Sequence, residues 1–210
     1  MKKFLLHLFF IVFMPFLAYA EPVEKEEATI WANQKGAEIL NIISSKDENK
    51  YAKLDMILRD DVDIKYIGKF VVGKYWKKMT EEQKTRYLAL FEEYLMKLYK
   101  TFKLDFDASD IKFKIYEVKA GTKFTDIVMP VEIQGVTTES DGAQDAIYVT
   151  FRVHKVDNRI KLIDLKVAES SLSLAYRNRI YELMMQDEEE IEWFLEDFET
   201  WIPSAPNEDL

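Results

Sequence analysis

Ile147-Tyr148-Val149-Thr150-Phe151-Arg152-Val153 places an apolar side chain at every second position, and the same period holds on both sides of it. Alternation of this kind puts successive side chains on opposite faces of a strand, so the run reads as a strand with one apolar face. Ile111, Phe113 and Ile115, with Lys112, Lys114 and Tyr116 between them, form an earlier run. Ile127, Met129, Val131 and Ile133 form a second, and Ile160 to Val167 make a fourth. Turn chemistry at Ala120-Gly121, Glu139 to Gly142 and Asp157-Asn158 separates the four, which predicts an antiparallel meander.

Upstream of residue 105 the period lengthens to that of helices. Segments at about Glu24 to Ser45, Tyr51 to Arg59 and Val62 to Val72 read as helical, and the clearest helix begins at Thr80. The Thr80 hydroxyl can accept from the third helical amide while Gln83 reaches back, a capping box. Tyr87, Phe91, Tyr94, Leu95, Leu98 and Phe102 then recur at spacings of three and four. Downstream of the strands, one helical pattern from Ser170 or Ser171 carries Leu172, Tyr176, Ile180, Leu183, Ile191, Phe194 and Phe198. Helices, four strands and a helix in that order predict an α+β fold, its helices packed on one face of a four-stranded antiparallel sheet.

The ends read differently. Lys2 and Lys3, an apolar run from Leu8 to Leu17 and Ala18-Tyr19-Ala20 make residues 1–20 a secretory signal cleaved after Ala20. Its apolar run is too short to span a bilayer. Residues 21–202 are expected to form one domain and 203–210 a flexible tail. Loss of the signal removes two of 29 basic residues and none of 38 acidic ones, leaving a net charge of −11. Nucleic acid and anionic membrane surfaces are poor default partners for such a chain. With no cysteine at all, disulfides, thiolate metal sites and lipidation through an N-terminal Cys are excluded.

Enzymatic chemistry finds little support. His154, the single histidine after residue 20, lies on a strand and is expected to be solvated. No Gly-rich phosphate loop, His-Glu-x-x-His or calcium loop occurs, and no metal or cofactor is expected. Asp60, Asp61 and Asp63 read as helix-capping acids and Glu188 to Glu190 as a solvated helix face. A carboxylate hydrolase needs an acidic pair with raised pKa, and no spacing offers one. The 14 Phe, 11 Tyr and four Trp remain, as core or as the wall of a hollow.

Val62-Asp63-Ile64-Lys65-Tyr66-Ile67-Gly68-Lys69-Phe70-Val71-Val72-Gly73-Lys74-Tyr75-Trp76, followed by Thr80-Glu81-Glu82-Gln83, Phe91 and Tyr99, resembles the signature of the MlaC, or toluene-tolerance, family of periplasmic phospholipid-binding proteins. Lys161-Leu162-Ile163-Asp164-Leu165-Lys166-Val167 is similar to that family's last strand, and Ser171-Leu172 and Arg177 are similar to its Ser-Leu pair and Arg beyond that strand. The family's Gly ahead of the Ser-Leu pair is Glu169 here. The resemblance implies a twisted sheet and helices enclosing an apolar cavity for phospholipid acyl chains. It also implies a non-enzymatic carrier between an outer-membrane lipoprotein complex and an inner-membrane ABC transporter complex, maintaining outer-membrane lipid asymmetry. The alternative is a periplasmic interaction or assembly factor of the same fold with a filled core and no lipid ligand.

Ile67, Val71, Trp76, Phe91, Leu95, Tyr99, Val149, Phe151 and Leu172 combine apolar-stripe positions with these blocks and are the candidate cavity wall. Gly73 is expected to permit a turn or close approach. Asp164, Ser171 and Arg177 are expected to form a cap or ion pair where the last strand meets the following helix.

Overall fold

A computed structural model describes residues 21–101, 111–133 and 147–202. The expected leader at 1–20, Phe102, the expected turn at Glu139 to Gly142 and the expected tail at 203–210 lie outside them. Helix α1 (Lys25–Ser44) turns back into α2 (Lys50–Asp61), which leads through Val62 to α3 (Ile64–Val72) and a 3-10 turn, Gly73–Lys77. Helix α4 (Glu81–Leu98) comes next. Its capping box is complete, with the Gln83 amide donating to the Thr80 hydroxyl at 3.2 Å and the Thr80 amide to the Gln83 side chain at 2.9 Å. Asp63 caps α3 in the same way, accepting from the Tyr66 amide at 3.0 Å.

The strands are β1 (Ile111–Phe113), β2 (Glu117–Ala120), β3 (Thr125–Ile133), β4 (Ile147–Val156), β5 (Arg159–Val167) and β6 (Ser170–Ser171). They make one antiparallel sheet in the order β1-β3-β4-β5-β6, with β2 also on β3. The expected four strands become six for local reasons. Phe113 pairs with Val131 and Glu117 with Val128, so the first expected strand breaks opposite Met129 and Pro130, and Pro130 has no amide to give the ladder. After β5, the chain reverses at Ala168 and Glu169, both in the left-handed region at φ 45° and 70°, and adds β6. Asp157 and Asn158, at φ 49° and 60°, form the two-residue hairpin between β4 and β5.

The C-terminal pattern also divides, into α5 (Leu172–Gln186) and α6 (Ile191–Trp201). Glu188 and Glu189 take positive φ values of 53° and 62°, which ends α5 without a glycine. The acids at 188–190 are thus a helix–helix turn and not the helix face expected from sequence.

Register places Ile127, Met129, Val149, Phe151, Val153 and Leu165 on one sheet face, and part of it is covered by Val23, just ahead of α1, and by Ala28 and Ala32 of α1. The other face is polar. There Arg152 binds Asp126 through two bonds of 2.7 and 2.8 Å and stacks 3.9 Å over the Phe124 ring. Helices α2, α3 and α5 all meet the sheet along β5.

Candidate functional site

Domains of this size ordinarily bury one contiguous apolar core, and here the buried apolar residues form two. One joins α3, α4, α5 and α6 through Val71, Tyr75, Tyr87, Phe91, Ile180 and Phe194, among others. The second joins α1 to the sheet. Leu54 of α2, Met96 of α4 and Ile163 of β5 are buried yet belong to neither, and Ile39, Ile42, Ile57, Val149 and Leu165 are half-buried and likewise in neither.

Helix α2 occupies the seam. Its Asp61 pairs with Lys35 of α1 at 2.8 Å and its Arg59 with Glu92 of α4 at 3.4 Å. Asp55 accepts from the Tyr99 hydroxyl and from Lys100 at 2.9 Å, while Lys161 of β5 donates to the Asp60 carbonyl. Polar links thus hold α2 against α1, the α4 side and β5. The Asp55 contact and burial push the Tyr99 hydroxyl pKa well above its ordinary value, burial contributing more.

The nine candidate wall residues sort into two groups. Ile67, Val71 and Phe91 are 8%, 0% and 1% exposed inside the helical core, where neighbouring side chains occupy the space around them. Trp76 and Leu172 cap that core from outside, Trp76 lying beneath the ammonium groups of Lys69 and Lys84 at 5.2 and 5.5 Å. Leu95 from α4 and Tyr99 just beyond its end, and Val149 and Phe151 from β4, are half-buried, the first pair on the helical side and the second on the sheet face that α1 only partly covers. Apolar spacing identifies all nine as inward-facing, but how tightly each is surrounded depends on residues distant in sequence.

At the junction of β5 and α5 the structure brings Asp164 and Ser171 together and takes Arg177 elsewhere. Asp164 accepts from the Ser171 hydroxyl at 2.7 Å, the Ser173 amide at 3.1 Å and the Ser173 hydroxyl. Ser171 in turn caps α5 by accepting from the Leu174 amide at 3.1 Å. Arg177 reaches back to α3, donating to the Phe70 carbonyl and the Tyr181 hydroxyl and lying 5.1 Å over the Phe70 ring. Gly73, at φ 55°, lets the chain pass beneath Tyr181 and Arg177.

His154 is not solvated. It is 2% exposed, its Nε2 is 2.9 Å from Asp63, and Tyr66 packs edge-on at 5.1 Å. Its strand alternation points it to the polar face, but α3 begins directly over it. Burial works to raise the Asp63 pKa, and the His154 contact and the Tyr66 amide outweigh it, holding the carboxyl below its ordinary value. Glu189 bonds Lys74 at 2.9 Å, the Tyr75 hydroxyl at 2.8 Å and Lys78 at 3.0 Å, which bring its pKa down to about 2.

Asp187 does face a second acid, Asp197, ten positions later across the α5–α6 turn, a pairing that linear spacing hides. Desolvation first, then Asp197, push its carboxyl up to about 6. The Oδ2 of Asp187 is shut away from solvent, whereas Asp197 is exposed. Among the described residues no group of three or more His, Asp or Glu side chains is arranged to hold a metal, and no helix is long and apolar enough to cross a membrane.

The family model described as MlaC protein matches residues 34–199. Comparison with curated proteins gives no match. Among solved structures, the phospholipid-binding protein from Ralstonia solanacearum in complex with a phospholipid superposes with a TM-score of 0.67 at 15% sequence identity, covering 85% of this chain and 98% of that one. At such low identity the likeness shows a shared fold.

Proposed function

The chain belongs to the MlaC family, whose model covers well over half its length, and from that premise we propose that it is a periplasmic phospholipid carrier. On this reading residues 1–20 direct export and are removed after Ala20, residues 21–202 act as one lipid-binding domain, and 203–210 are a tail. The chain moves phospholipid between an outer-membrane lipoprotein complex and an inner-membrane ABC transporter complex, maintaining outer-membrane lipid asymmetry, and works by binding rather than catalysis.

The observation that carries this reading is the seam between two unmerged apolar cores. Burying a methylene contributes ~0.8 kcal/mol, so an acyl chain of about 16 carbons resists water by on the order of 10 kcal/mol. It needs an apolar space that the protein's own side chains leave unfilled, and such a space costs the protein dispersion contacts. Leu95, Tyr99, Val149 and Phe151 are the wall we assign, with Leu172 and Trp76 at its margin. Ile67, Val71 and Phe91 are the packed base behind it. The phospholipid in the Ralstonia relative supports the ligand class.

The test is to purify the mature protein from its native periplasm, extract it with organic solvent and identify the extract by mass spectrometry. Phospholipid in near-stoichiometric amount is expected. A lipid-free extract from native cells overturns the carrier reading and leaves the filled-core assembly factor.

A further inference from the structure

The chain is acidic overall, yet the 17 residues from Ile64 to Thr80 hold five lysines and no carboxylate. Helix α3 buries Ile67, Gly68, Val71 and Val72, so Lys65, Tyr66, Lys69 and Phe70 fall on its other side, where all four are exposed. Tyr66 and Phe70, 43% and 39% exposed, are half-sunk and not protruding. Arg177 adjoins them from α5, its guanidinium held over Phe70 and fixed by the Phe70 carbonyl and the Tyr181 hydroxyl.

The nearby acids are engaged with other groups. Asp63 is taken up by His154 and the Tyr66 amide, and Glu189 by Lys74, Lys78 and Tyr75. No ion pair links Lys65, Lys69 or Arg177 to a carboxylate among the described residues. The result is a patch with three cations around two aromatic rings, Arg177 held by its bonds and Lys69 lying over Trp76, on a molecule of net negative charge. Arg and Tyr anchors held in place before binding are the composition of interface hot spots, because little side-chain freedom remains to be lost.

We infer that the exposed face of α3 with Arg177 is a docking surface for a protein partner that presents carboxylates around an apolar recess. Two features favour a protein over a bilayer. The rings are too recessed to insert among acyl chains, and the net charge of the whole molecule opposes an anionic leaflet. The inference rests on the carrier reading for the identity of the partner, which is one of the two membrane complexes, and it assigns the chemistry of the surface that meets it.

The experiment measures binding of the purified full mature chain to each complex, reconstituted in zwitterionic nanodiscs, at low and raised salt. Wild type is expected to bind at least one complex with an affinity that falls as salt is raised. The double variant Lys65→Glu/Lys69→Glu is expected to bind about tenfold more weakly, and Tyr66→Ser/Phe70→Ser to weaken binding with little change in salt dependence. Circular dichroism and extracted lipid content, unchanged in both variants, serve as fold controls. Wild-type binding that the substitutions leave untouched overturns the surface alone. Absence of wild-type binding to either complex overturns it together with the carrier reading. Loss of sedimentation on phosphatidylglycerol vesicles with complex binding intact overturns it in favour of a membrane contact.

Discussion

Gly73 and Tyr181 approach so closely that a Cβ on the glycine would overlap the tyrosine hydroxyl, and it would also lie 3.0 Å from the Arg177 guanidinium. Gly73 has φ 55° and ψ −117°, the mirror image of extended backbone, which glycine alone adopts freely. Its contact ties the end of α3 to α5, since the Tyr181 hydroxyl also accepts from the Lys74 amide at 3.1 Å. Gly73→Ala should therefore destabilise the protein by about 1–3 kcal/mol in urea titration. Adding Tyr181→Phe relieves the overlap but not the backbone strain, so the double variant should remain less stable than wild type. Equal stability of the double variant and wild type would show that the strain is absent.

Asp187 binds its proton more tightly in the folded state than an ordinary aspartate, with a pKa of about 6 against 3.8. A raised carboxyl pKa stabilises the fold below the unfolded value and loses that contribution as pH rises through the folded value. Thermal stability should thus fall between about pH 4 and pH 7 through this pair. Asp187→Asn should remove that slope and raise the melting temperature at pH 8 by about 2–4 °C, read by calorimetry across the range.

Asp63 has the opposite sign. Its depressed pKa contributes stability above the ordinary aspartate value, lost as pH falls through the folded one. Asp63→Asn should flatten the acid limb of the stability curve and cost about 1–3 kcal/mol at neutral pH, because His154 is left buried with a poorer partner. An acid limb identical to wild type would count against the pairing.

Glu169 occupies a left-handed position, φ 70°, where the family resemblance places glycine. An L side chain there costs about 1–2 kcal/mol, partly offset by the greater freedom glycine has in the unfolded chain. Glu169→Gly should stabilise the β5–β6 turn by up to about 1 kcal/mol in chemical denaturation, and a loss of stability would sink the conformational account.

Wall and core substitutions should separate cleanly. Leu95→Trp and Val149→Trp should lower co-purified lipid while leaving helical content intact. Phe91→Ala, 1% exposed in the helical core, should instead cost about 3–5 kcal/mol. If Leu95→Trp collapses the helices with lipid content unchanged, Leu95 is core.

Much of this was legible from local chemistry. The capping box at Thr80 and Gln83, the hairpin at Asp157-Asn158 and the alternation in β3, β4 and β5 are decided by residues a few positions apart, and the helical core grows out of the α4 stripe. What escaped depends on the third dimension. His154 alternates toward the polar face like any solvated strand residue, and only the arrival of α3 buries it. The break before Ile191 has no glycine or proline to announce it, because Glu188 and Glu189 take the left-handed turn themselves with Glu189 held by Lys74, Tyr75 and Lys78. The distinction between Phe91 in the core and Phe151 beside the seam is likewise invisible to periodicity, which reports direction and says nothing of how much matter lies ahead.

Because β5 carries Ile160 and Leu162 into the sheet-side cluster and also receives α2, α3 and α5 along its length, both greasy bodies are mounted on one strand. Beyond that strand, the buried His154–Asp63 contact and surface ties such as Lys35 to Asp61 join the two. Helix α2 buries Leu54 alone, against six residues in α4, so hydrogen exchange at α2 should run ahead of exchange in α4.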